Sequence, residues 1–225
     1  MDNNQKTLNE SEEKVTILDN NYKNIDLQIK VLVIGDVEVG KTSIFQRFTL
    51  NEFYESYSPT NCYEFFFIVA KVNDKVMKLQ IWDNSGNVSF RPVCLNWFNN
   101  SELCVLVYSV TSLESFNNLR QWIEDLRNVN ESSPIVLLGN QSDDEGNRQV
   151  TYKMGEKLKE EYNLEFFEEV SAKNGFNSNP NFVTKIAKIL YRNLIDDTDS
   201  RCYVMNESIR LEDPKKRRRR DDCNC

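Results

Sequence analysis

Ile29 to Thr42 read IKVLVIGDVEVGKT, an apolar run that ends at a glycine and leads into a Gly-Lys-Thr triplet. The run is typical of a short buried strand, and the TSIFQRF segment after it favours a helix. Gly35 to Thr42 match the pattern G-x-x-x-x-G-K-[ST], in which glycines let backbone amides approach phosphate oxygens. The helix N-terminus that follows also favours negative charge, so the stretch predicts a phosphate-binding loop.

Two side chains of this loop carry chemistry. Lys41 can reach the β- and γ-phosphates of a nucleotide, and the Thr42 hydroxyl can ligate Mg²⁺. A chance match to the pattern is expected in roughly one chain in a hundred. Here the pattern also lies between a predicted strand and a predicted helix, which favours the nucleotide site.

Strand and helix patterns alternate through the rest of the chain. The runs YEFFFIVAKV and VMKLQIWD meet at an Asn73-Asp74 turn and predict a hairpin. The buried strands LCVLVYSV, PIVLLGN and EFFEEV follow, with helices between them and a last helix over 180–194. This order predicts an α/β fold: a six-stranded, mostly parallel sheet with one antiparallel edge strand and helices on both faces.

Both ends of the chain differ from this pattern. Residues 1–25 are polar without a period and predict a flexible extension before a domain over 26–195. Residues 196–225 are polar, contain KKRRRR and predict a flexible tail. The N-terminus has no apolar signal-peptide core and the apolar runs are too short to span a bilayer, so a cytosolic location is the default expectation.

Composition excludes several classes of function. The 225-residue chain has a formal net charge of −7, which argues against a general nucleic-acid binder. It has no histidine, which excludes His-based triads, His general bases and His metal ligands. Its six cysteines form no CxxC pair, and Cys62, Cys94 and Cys104 are expected to be small buried hydrophobes.

Two later motifs can read a base. NQSD, Asn140 to Asp143, follows PIVLLG, and SAK, Ser171 to Lys173, follows EFFEEV. The Asp143 carboxylate can accept both the N1 and N2 protons of guanine, a pair that adenine does not offer. Ligands of parallel sheets bind at the carboxyl ends of the strands, where both motifs fall.

These motifs resemble those of the Ras-like small GTPases. GDVEVGKT, YSPT, WDNSG, NQSD and SAK occur in the order and spacing of that family, across about residues 26–195. Further segments resemble the Rab branch of this family: KLQIWD, SFR, VYSVT, ESFNNLRQWIEDL and a terminal Cys-x-Cys. The resemblance implies a P-loop NTPase that binds GTP or GDP with Mg²⁺, hydrolyses GTP and acts as a switch in vesicle traffic.

The resemblance also assigns roles to matching residues. The magnesium residues are Thr42, Thr60 and Asp83, and the catalytic set is Lys41, Thr60, Gly86 and Asn87. The nucleotide-binding set is Val37, Glu38, Val39, Gly40, Lys41, Thr42, Ser43, Phe53, Tyr57, Thr60, Gly86, Asn140, Gln141, Asp143, Ser171, Ala172 and Lys173. Within it, Phe53 is implied to lie against guanine, Asn140 to tie the base site to the P-loop, and the Ala172 amide to meet the guanine carbonyl.

Two departures from the family pattern bear on hydrolysis. Asn87 replaces a glutamine that orients the attacking water, and its amide is about 1.3–1.5 Å shorter in reach, a displacement that can cost roughly 10²-fold in rate. Val37 replaces a small residue and is expected to crowd the γ-phosphate and any inserted arginine finger, which contributes about 10³–10⁵ in rate. Activating proteins of the Rab family can supply both a glutamine and an arginine.

Two further departures bear on affinity. Glu38 replaces a glycine, and a carboxylate near the β-phosphate is repulsive unless it points to solvent or pairs with a cation. Gln141 replaces a lysine whose aliphatic stem covers the guanine plane. Together they predict weaker nucleotide affinity and faster exchange. Asn61-Cys62 also departs from the usual Ile-Gly, which leaves the effector open.

Three hypotheses about activity are considered from the sequence. The first is a slow GTPase biased to the GTP state, unless compensating contacts restore normal turnover. The second is a scaffold held permanently in GTP with negligible hydrolysis. A P-loop kinase is disfavoured by NQSD, SAK and the lack of a lid-like insertion.

The resemblance predicts partners as well. Phe65, Trp82 and Trp97 match an aromatic triad that faces effectors, with core packing as the alternative. Cys223 and Cys225 match a double geranylgeranylation signal, with two stray cysteines as the alternative. The expected partners are effectors, an exchange factor, an activating protein, the prenylation and GDI machinery, and the cytoplasmic face of intracellular membranes, with a cytosolic pool and no nucleic acid.

The basic run Lys215 to Arg220 has three possible roles. It can add about 1 kcal/mol of attraction per charge near an anionic membrane surface. It also resembles a nuclear localisation signal, and it can be a solvated charge run.

Overall fold

The strand that opens the quoted stretch lies near the middle of a mixed sheet. A computed structural model describes residues 13–55, 59–60, 63–87, 98–175 and 181–196. Its strands are β1 Val15–Leu18, β2 Leu27–Ile34, β3 Tyr63–Val72, β4 Lys75–Asn84, β5 Leu103–Ser109, β6 Ile135–Asn140 and β7 Phe166–Glu169. Its α-helices are α1 Lys41–Leu50, α2 Leu113–Asn117, α3 Leu119–Val129, α4 Tyr152–Glu161 and α5 Asn181–Asp196, and a 3₁₀ turn spans Glu145–Asn147.

The sheet order is β1-β3-β4-β2-β5-β6-β7. Parallel pairing joins β4, β2, β5, β6 and β7, whereas β3 runs antiparallel to both β4 and β1. The β3–β4 hairpin turns at Asn73, which has the left-handed φ of 53° that an asparagine tolerates. The predicted α/β P-loop architecture is confirmed, but the described residues contain seven strands rather than six.

The additional strand corrects the expectation of a flexible extension over 1–25. Residues 15–18 pair with β3, from Val15 opposite Val72 to Leu18 opposite Val69. Lys14 and Asn73 exchange two hydrogen bonds, N–H to Oδ1 at 3.1 Å and N–H to backbone oxygen at 3.0 Å. The backbone of β3 would otherwise be an open edge there, and four residues are too few to show a strand period. The sheet edge beside residues 69–72 is therefore β1, not the β3 strand of the hairpin as predicted.

Side-chain alternation on the central strands divides the core into two layers. Val31 and Val33 face a layer that contains Phe45 of α1 and Phe182 of α5. Leu32 and Ile34 face the other layer, which contains residues of α2, α3 and α4. Helices thus cover both faces of the sheet, as predicted, and the carboxyl ends of β2, β5 and β6 are left to form a site.

The structure also bears on the predictions about membrane-spanning segments and about the cysteines. Within 13–55, 59–60, 63–87, 98–175 and 181–196, no helix combines the length and apolar character that crossing a bilayer requires. Cys104 is fully buried, as expected, and burial raises the pKa of its thiol. Cys62, Cys94, the 197–225 part of the predicted tail and its Cys223 and Cys225 lie outside the described residues.

Candidate nucleotide-binding site

A cavity of about 660 Å³ opens beside the P-loop (Gly35 to Thr42), at the carboxyl ends of the parallel strands. Its size is that of a small-molecule site. The predicted site residues that line it are Glu38, Gly40, Lys41, Thr42, Ser43, Phe53, Thr60, Asn140, Gln141, Asp143, Ala172 and Lys173. The chain thus brings together residues from motifs more than 130 positions apart.

The P-loop wraps tightly at two positions that only glycine can occupy without a steric clash. At Gly35, φ is 141° and an added Cβ would lie 2.1 Å from the Val107 carbonyl oxygen. At Gly40, φ is 83° and a Cβ would lie 2.3 Å from Asn140 Nδ2. Gly40 is also the N-cap of α1 and caps it without a side-chain hydrogen bond. The first amides of the helix therefore stay available to an anion.

Lys41 is held against the P-loop itself. Its side chain is buried, and Nζ donates to the backbone oxygens of Gly35 at 3.0 Å and Asp36 at 2.6 Å. Val39 is buried in the core, so any contact of this residue with phosphate would come from its backbone. Val37 and Glu38 are exposed at the tip of the loop, and Val37 is 45% exposed.

Three oxygens predicted to surround magnesium converge. Thr42 Oγ1 donates to Asp83 Oδ2 at 2.5 Å and lies 2.9 Å from Thr60 Oγ1. Asp83 is fully buried, and its Oδ1 has no hydrogen-bond partner among the described residues. Burial raises the pKa of Asp83 to about 6, against the lowering effects of Lys41 and Thr42. An orphaned carboxylate oxygen beside two hydroxyls fits a hard divalent cation such as Mg²⁺.

The base side is built from side chains that hold one another. Asn140 Nδ2 donates to the Val39 oxygen at 2.9 Å, and its Oδ1 accepts from the Ala172 amide at 3.2 Å. Asn140 therefore joins the P-loop to the SAK loop. The Ala172 amide, implied to meet the guanine carbonyl, donates to Asn140 in this structure.

Asp143 is oriented by a serine. Ser171 Oγ donates to Asp143 Oδ1 at 2.6 Å and accepts from the Asn174 amide at 3.1 Å. Ser171 is fully buried whereas the Asp143 carboxylate is exposed in the cavity wall. This arrangement presents a fixed anionic acceptor to a base.

Gln141 makes more contacts than the sequence suggested. Its Oε1 accepts from Ser109 Oγ and from Thr111 Oγ1, the latter at 3.0 Å. Its Nε2 donates to the backbone oxygen of Glu38 at 3.3 Å. The glutamine is therefore a fixed bridge between the β5 end and the P-loop rather than a loose substitute for a lysine.

The loop after β4 lies directly on the P-loop. Gly86 has a φ of 74°, and a Cβ there would lie 2.4 Å from the Gly35 oxygen and 2.5 Å from Lys41 Nζ. Ser85 lines the cavity and its Oγ accepts from the Asn87 amide at 3.3 Å. Asn87 is exposed. Tyr57, which the family resemblance places in the nucleotide-binding set, lies outside the described residues.

Two supporting residues were missed by sequence reasoning. The Asp36 carboxylate accepts from Trp122 Nε1 at 2.8 Å and from Asn118 Nδ2 at 2.7 Å, which ties the P-loop to α3. Arg47 of α1 donates to the backbone oxygens of Ala172 at 2.8 Å and Lys173 at 2.9 Å, which holds the SAK loop. The partners are far apart in sequence, so no local pattern signals them.

The predicted effector face is partly present. Phe65 is 40% exposed and its ring centroid lies 4.2 Å from that of Trp82. Trp82 is only partly exposed and packs against the core, which is what the alternative role of core packing predicts for it. Tyr63 and Phe67, two positions either side of Phe65, are also exposed and extend the aromatic strip. Trp97 lies outside the described residues.

Comparison with known proteins agrees with this geometry. A model of the Ras family matches residues 30–191. The chain is 36% identical over 168 residues to the Ras-related protein RIC1 of Oryza sativa subsp. japonica, which covers 74% of this chain and 83% of the relative. It is 30% identical over 205 residues to the Ras-related protein Rab-3 of Caenorhabditis elegans, which covers 90% of this chain and 93% of the relative. The chain therefore belongs to the Ras family of small GTPases and is related to its Rab members.

Proposed function

We propose that this chain is a Rab-like switch that binds GTP and GDP with Mg²⁺, hydrolyses GTP slowly and regulates intracellular vesicle trafficking. The observation that carries the proposal is a single cavity lined by the P-loop, by Thr42 and Thr60, and by the NQSD and SAK motifs. The traffic role rests on the Rab relationship alone.

Phosphate binding follows from the groups around the P-loop. Lys41 Nζ now donates to two neutral carbonyls. A triphosphate offers it charged acceptors, and charge-assisted hydrogen bonds are roughly twice as strong as neutral ones. The open amides at the start of α1 favour the same anion. A bound Mg²⁺ would be held by Thr42, Thr60 and, through water, Asp83, and would neutralise charge on the phosphates.

Guanine selection is assigned to Asp143. Ser171 occupies one carboxylate oxygen of Asp143 and leaves the group facing the cavity. An ionised carboxylate accepts two N–H groups side by side, which guanine presents and adenine does not. Phe53 lines the same cavity and is proposed to lie against the base.

Slow hydrolysis is proposed from Asn87 and Val37. Asn87 has the amide needed to orient a water but a shorter reach than glutamine, and poor positioning is costly to rate. Val37 is exposed at the P-loop tip, and we expect its branched side chain to crowd the γ-phosphate and any arginine supplied by an activating protein. Loss of the γ-phosphate would release Thr60 and Gly86, which is how such switches signal.

The decisive experiment is to identify the nucleotide on the freshly purified chain and to follow single-turnover GTP hydrolysis. We expect guanine nucleotide, a mixture of GTP and GDP, and slow conversion. The alternative of a scaffold held in GTP predicts GTP alone and no conversion over hours. Adenine nucleotide, or phosphate transfer to a nucleoside monophosphate, would contradict the proposed switch.

Membrane attachment is proposed through Cys223 and Cys225. Two prenyl chains give stable anchoring where one gives only marginal binding. The basic run Lys215 to Arg220 would add attraction to an anionic leaflet. Replacing both cysteines by serine should move the chain from the membrane fraction to the soluble fraction. Unchanged fractionation would reject lipidation, and nuclear accumulation of the serine variant would favour the import reading of the basic run.

The partners proposed with this function are effectors, an exchange factor, an activating protein and the prenylation and GDI machinery. Phe65 and Trp82, with the Trp97 of the predicted triad, are proposed to face effectors. The exposed ring of Phe65 supports this role most directly, because exposed aromatic residues are enriched at protein interfaces.

A further inference from the structure

We propose that Ser85 is a further catalytic residue of this chain, whose hydroxyl in the wall of the nucleotide cavity holds the water that attacks the γ-phosphate. The proposal rests on the proposed function, because it concerns the hydrolysis of bound GTP. It accounts for the hydrolysis that is expected despite the short side chain of Asn87. It also gives a role to a residue to which the sequence assigned none.

The side chains at the end of β4 point in alternate directions. Asp83 accepts from Thr42, whereas the next side chain, Asn84, donates to the backbone oxygen of Val33 on β2 at 3.2 Å. Ser85 follows and lines the same cavity as Thr42. The two-residue alternation of the strand thus continues past its end, and Asp83 and Ser85 share the side that faces the P-loop.

The Ser85 hydroxyl keeps positions for further hydrogen bonds. The residue is only 8% exposed. Its Oγ accepts from the Asn87 amide at 3.3 Å, and this is its one hydrogen bond among the described residues. A hydroxyl has one donor and two acceptor positions, so the O–H and one lone pair stay open. A hydroxyl held in this way can bind a water and a phosphate oxygen at the same time.

The residues around Ser85 indicate which water it holds. Gly86, the next residue, lies on the P-loop, and an added Cβ there would be 2.5 Å from Lys41 Nζ. Lys41 is the side chain that can reach the β- and γ-phosphates. A hydroxyl one residue before Gly86 therefore lies beside the γ-phosphate end of a bound nucleotide. Asn87, in contrast, is exposed and is not among the residues that line the cavity.

The proposed step needs no group beyond GTP and water. The water oxygen forms a bond to the γ-phosphorus, and the bond from that phosphorus to the β–γ bridging oxygen breaks. The products are GDP, inorganic phosphate and one proton, which passes to solvent. Ser85 Oγ accepts a hydrogen bond from the water while its O–H donates to a γ-phosphate oxygen. Alignment of the two reacting atoms before the step lowers its barrier.

The test is single-turnover GTP hydrolysis by the full chain at saturating Mg²⁺, with the two side chains varied separately. Ser85→Ala removes the hydroxyl and should slow hydrolysis about 10-fold. Asn87→Ala keeps the backbone amide that bonds Ser85 and should slow hydrolysis only about 2-fold. Ser85→Thr keeps the hydroxyl and should retain most of the rate.

A double-mutant cycle tests whether both side chains act on one water. In an Asn87→Gln background the longer amide can reach the water, so the effect of Ser85→Ala should shrink to about 3-fold. Ser133→Ala is the matched control, since Ser133 is also buried and its Oγ has no hydrogen-bond partner among the described residues. It should leave the rate unchanged. Ser85→Ala itself should leave GDP dissociation and the melting temperature unchanged.

The outcomes distinguish this inference from the function beneath it. Equal hydrolysis rates for the wild type and Ser85→Ala, a larger loss in Asn87→Ala, or an undiminished serine effect in the Asn87→Gln background would overturn the role of Ser85 and leave the switch intact. Slower hydrolysis with faster GDP release and a lower melting temperature would assign Ser85 a structural role only.

Two other results would also overturn the proposed role. A covalent phosphate on Ser85 after turnover, detected by mass spectrometry, would make the hydroxyl a nucleophile rather than a holder of water. A higher Mg²⁺ requirement in Ser85→Ala with a normal rate at saturating Mg²⁺ would place Ser85 in the metal site. Failure of the wild type to bind or hydrolyse GTP would instead overturn the proposed function.

Discussion

The two halves of the cavity are built differently. In the base half, Asn140, Gln141 and Asp143 each have a side-chain hydrogen bond to a named partner. In the phosphate half, Lys41 Nζ donates to the backbone oxygens of Gly35 and Asp36, and the buried Oδ1 of Asp83 has no hydrogen-bond partner among the described residues. The base half thus holds its side chains through hydrogen bonds to one another and to the P-loop, whereas the phosphate half keeps a buried carboxylate oxygen that a cation can pair. We therefore expect substitutions in the base half to change which nucleotide binds, and substitutions in the phosphate half to change hydrolysis and Mg²⁺ dependence.

The largest effect should come from a substitution in the base half, at Asp143. Asp143→Asn removes a charged acceptor for two guanine N–H groups, and hydrogen bonds to charged groups contribute about 1.5–3 kcal/mol each. We expect guanine-nucleotide affinity to fall by roughly 10²- to 10⁴-fold. Equilibrium titration with fluorescent GDP measures it, and Asp144→Asn in the same wall is the control. A loss below 10-fold would show that Asp143 does not read the base.

The next effect concerns timing in the phosphate half. The double change Asn87→Gln/Val37→Ser restores amide reach and opens the P-loop tip, so we expect intrinsic single-turnover GTP hydrolysis to rise by up to about 10²-fold. Each single variant shows which residue limits the rate. A rate equal to that of the wild type would reject impaired hydrolysis, and with it the idea that these two residues delay switching off.

Magnesium dependence should respond to Asp83 on a smaller scale. Asp83→Asn keeps an acceptor oxygen but removes the charge, and groups that act on a metal through water typically contribute about 10- to 100-fold in metal affinity. We expect the Mg²⁺ concentration that half-maximally slows nucleotide release to rise by that factor. Asp144→Asn, which lines the base side of the same cavity, is the control. An unchanged midpoint would exclude Asp83 from the magnesium site.

The smallest effect should come from the tie between the P-loop and α3. Trp122→Phe keeps an aromatic ring but removes the indole N–H that bonds Asp36 at 2.8 Å. Nucleotide release should quicken about 5-fold, corresponding to about 1 kcal/mol. Trp82→Phe, the same substitution on β4, should leave release unchanged. Equal effects of both substitutions would assign the loss to general loosening of the fold.

Local patterns made most of the fold predictable. The apolar strands, the Asn73-Asp74 turn and the P-loop each lie within a few consecutive residues, and the motifs after strands indicated where the cavity would be. The strand Val15–Leu18 was not predictable in the same way, because its stability comes from an open edge of β3 rather than from its own four residues.

The candidate site was predictable by residue type but not by partner. Asp143 and Asn140 were recognised from one short motif. The hydrogen bond from Trp122 to Asp36 joins residues 86 positions apart. The hydrogen bonds from Ser109 and Thr111 to Gln141 join residues about 30 positions apart. Such pairings depend on how strands and helices pack. Gln141 shows the consequence: its residue type suggested a deficit, whereas its surroundings give it three hydrogen-bond partners.

The short strand β1 also decides where the ends of the described chain lie. Val15 pairs with Val72 near the hairpin turn, and Arg192 of α5 donates to Glu13 at 2.8 Å. Tyr191 of the same helix reaches Asp74 in that turn. Both ends therefore leave the molecule at the edge remote from the nucleotide cavity. A dye or affinity tag attached beside Glu13 or Arg192 would therefore stand clear of the cavity mouth.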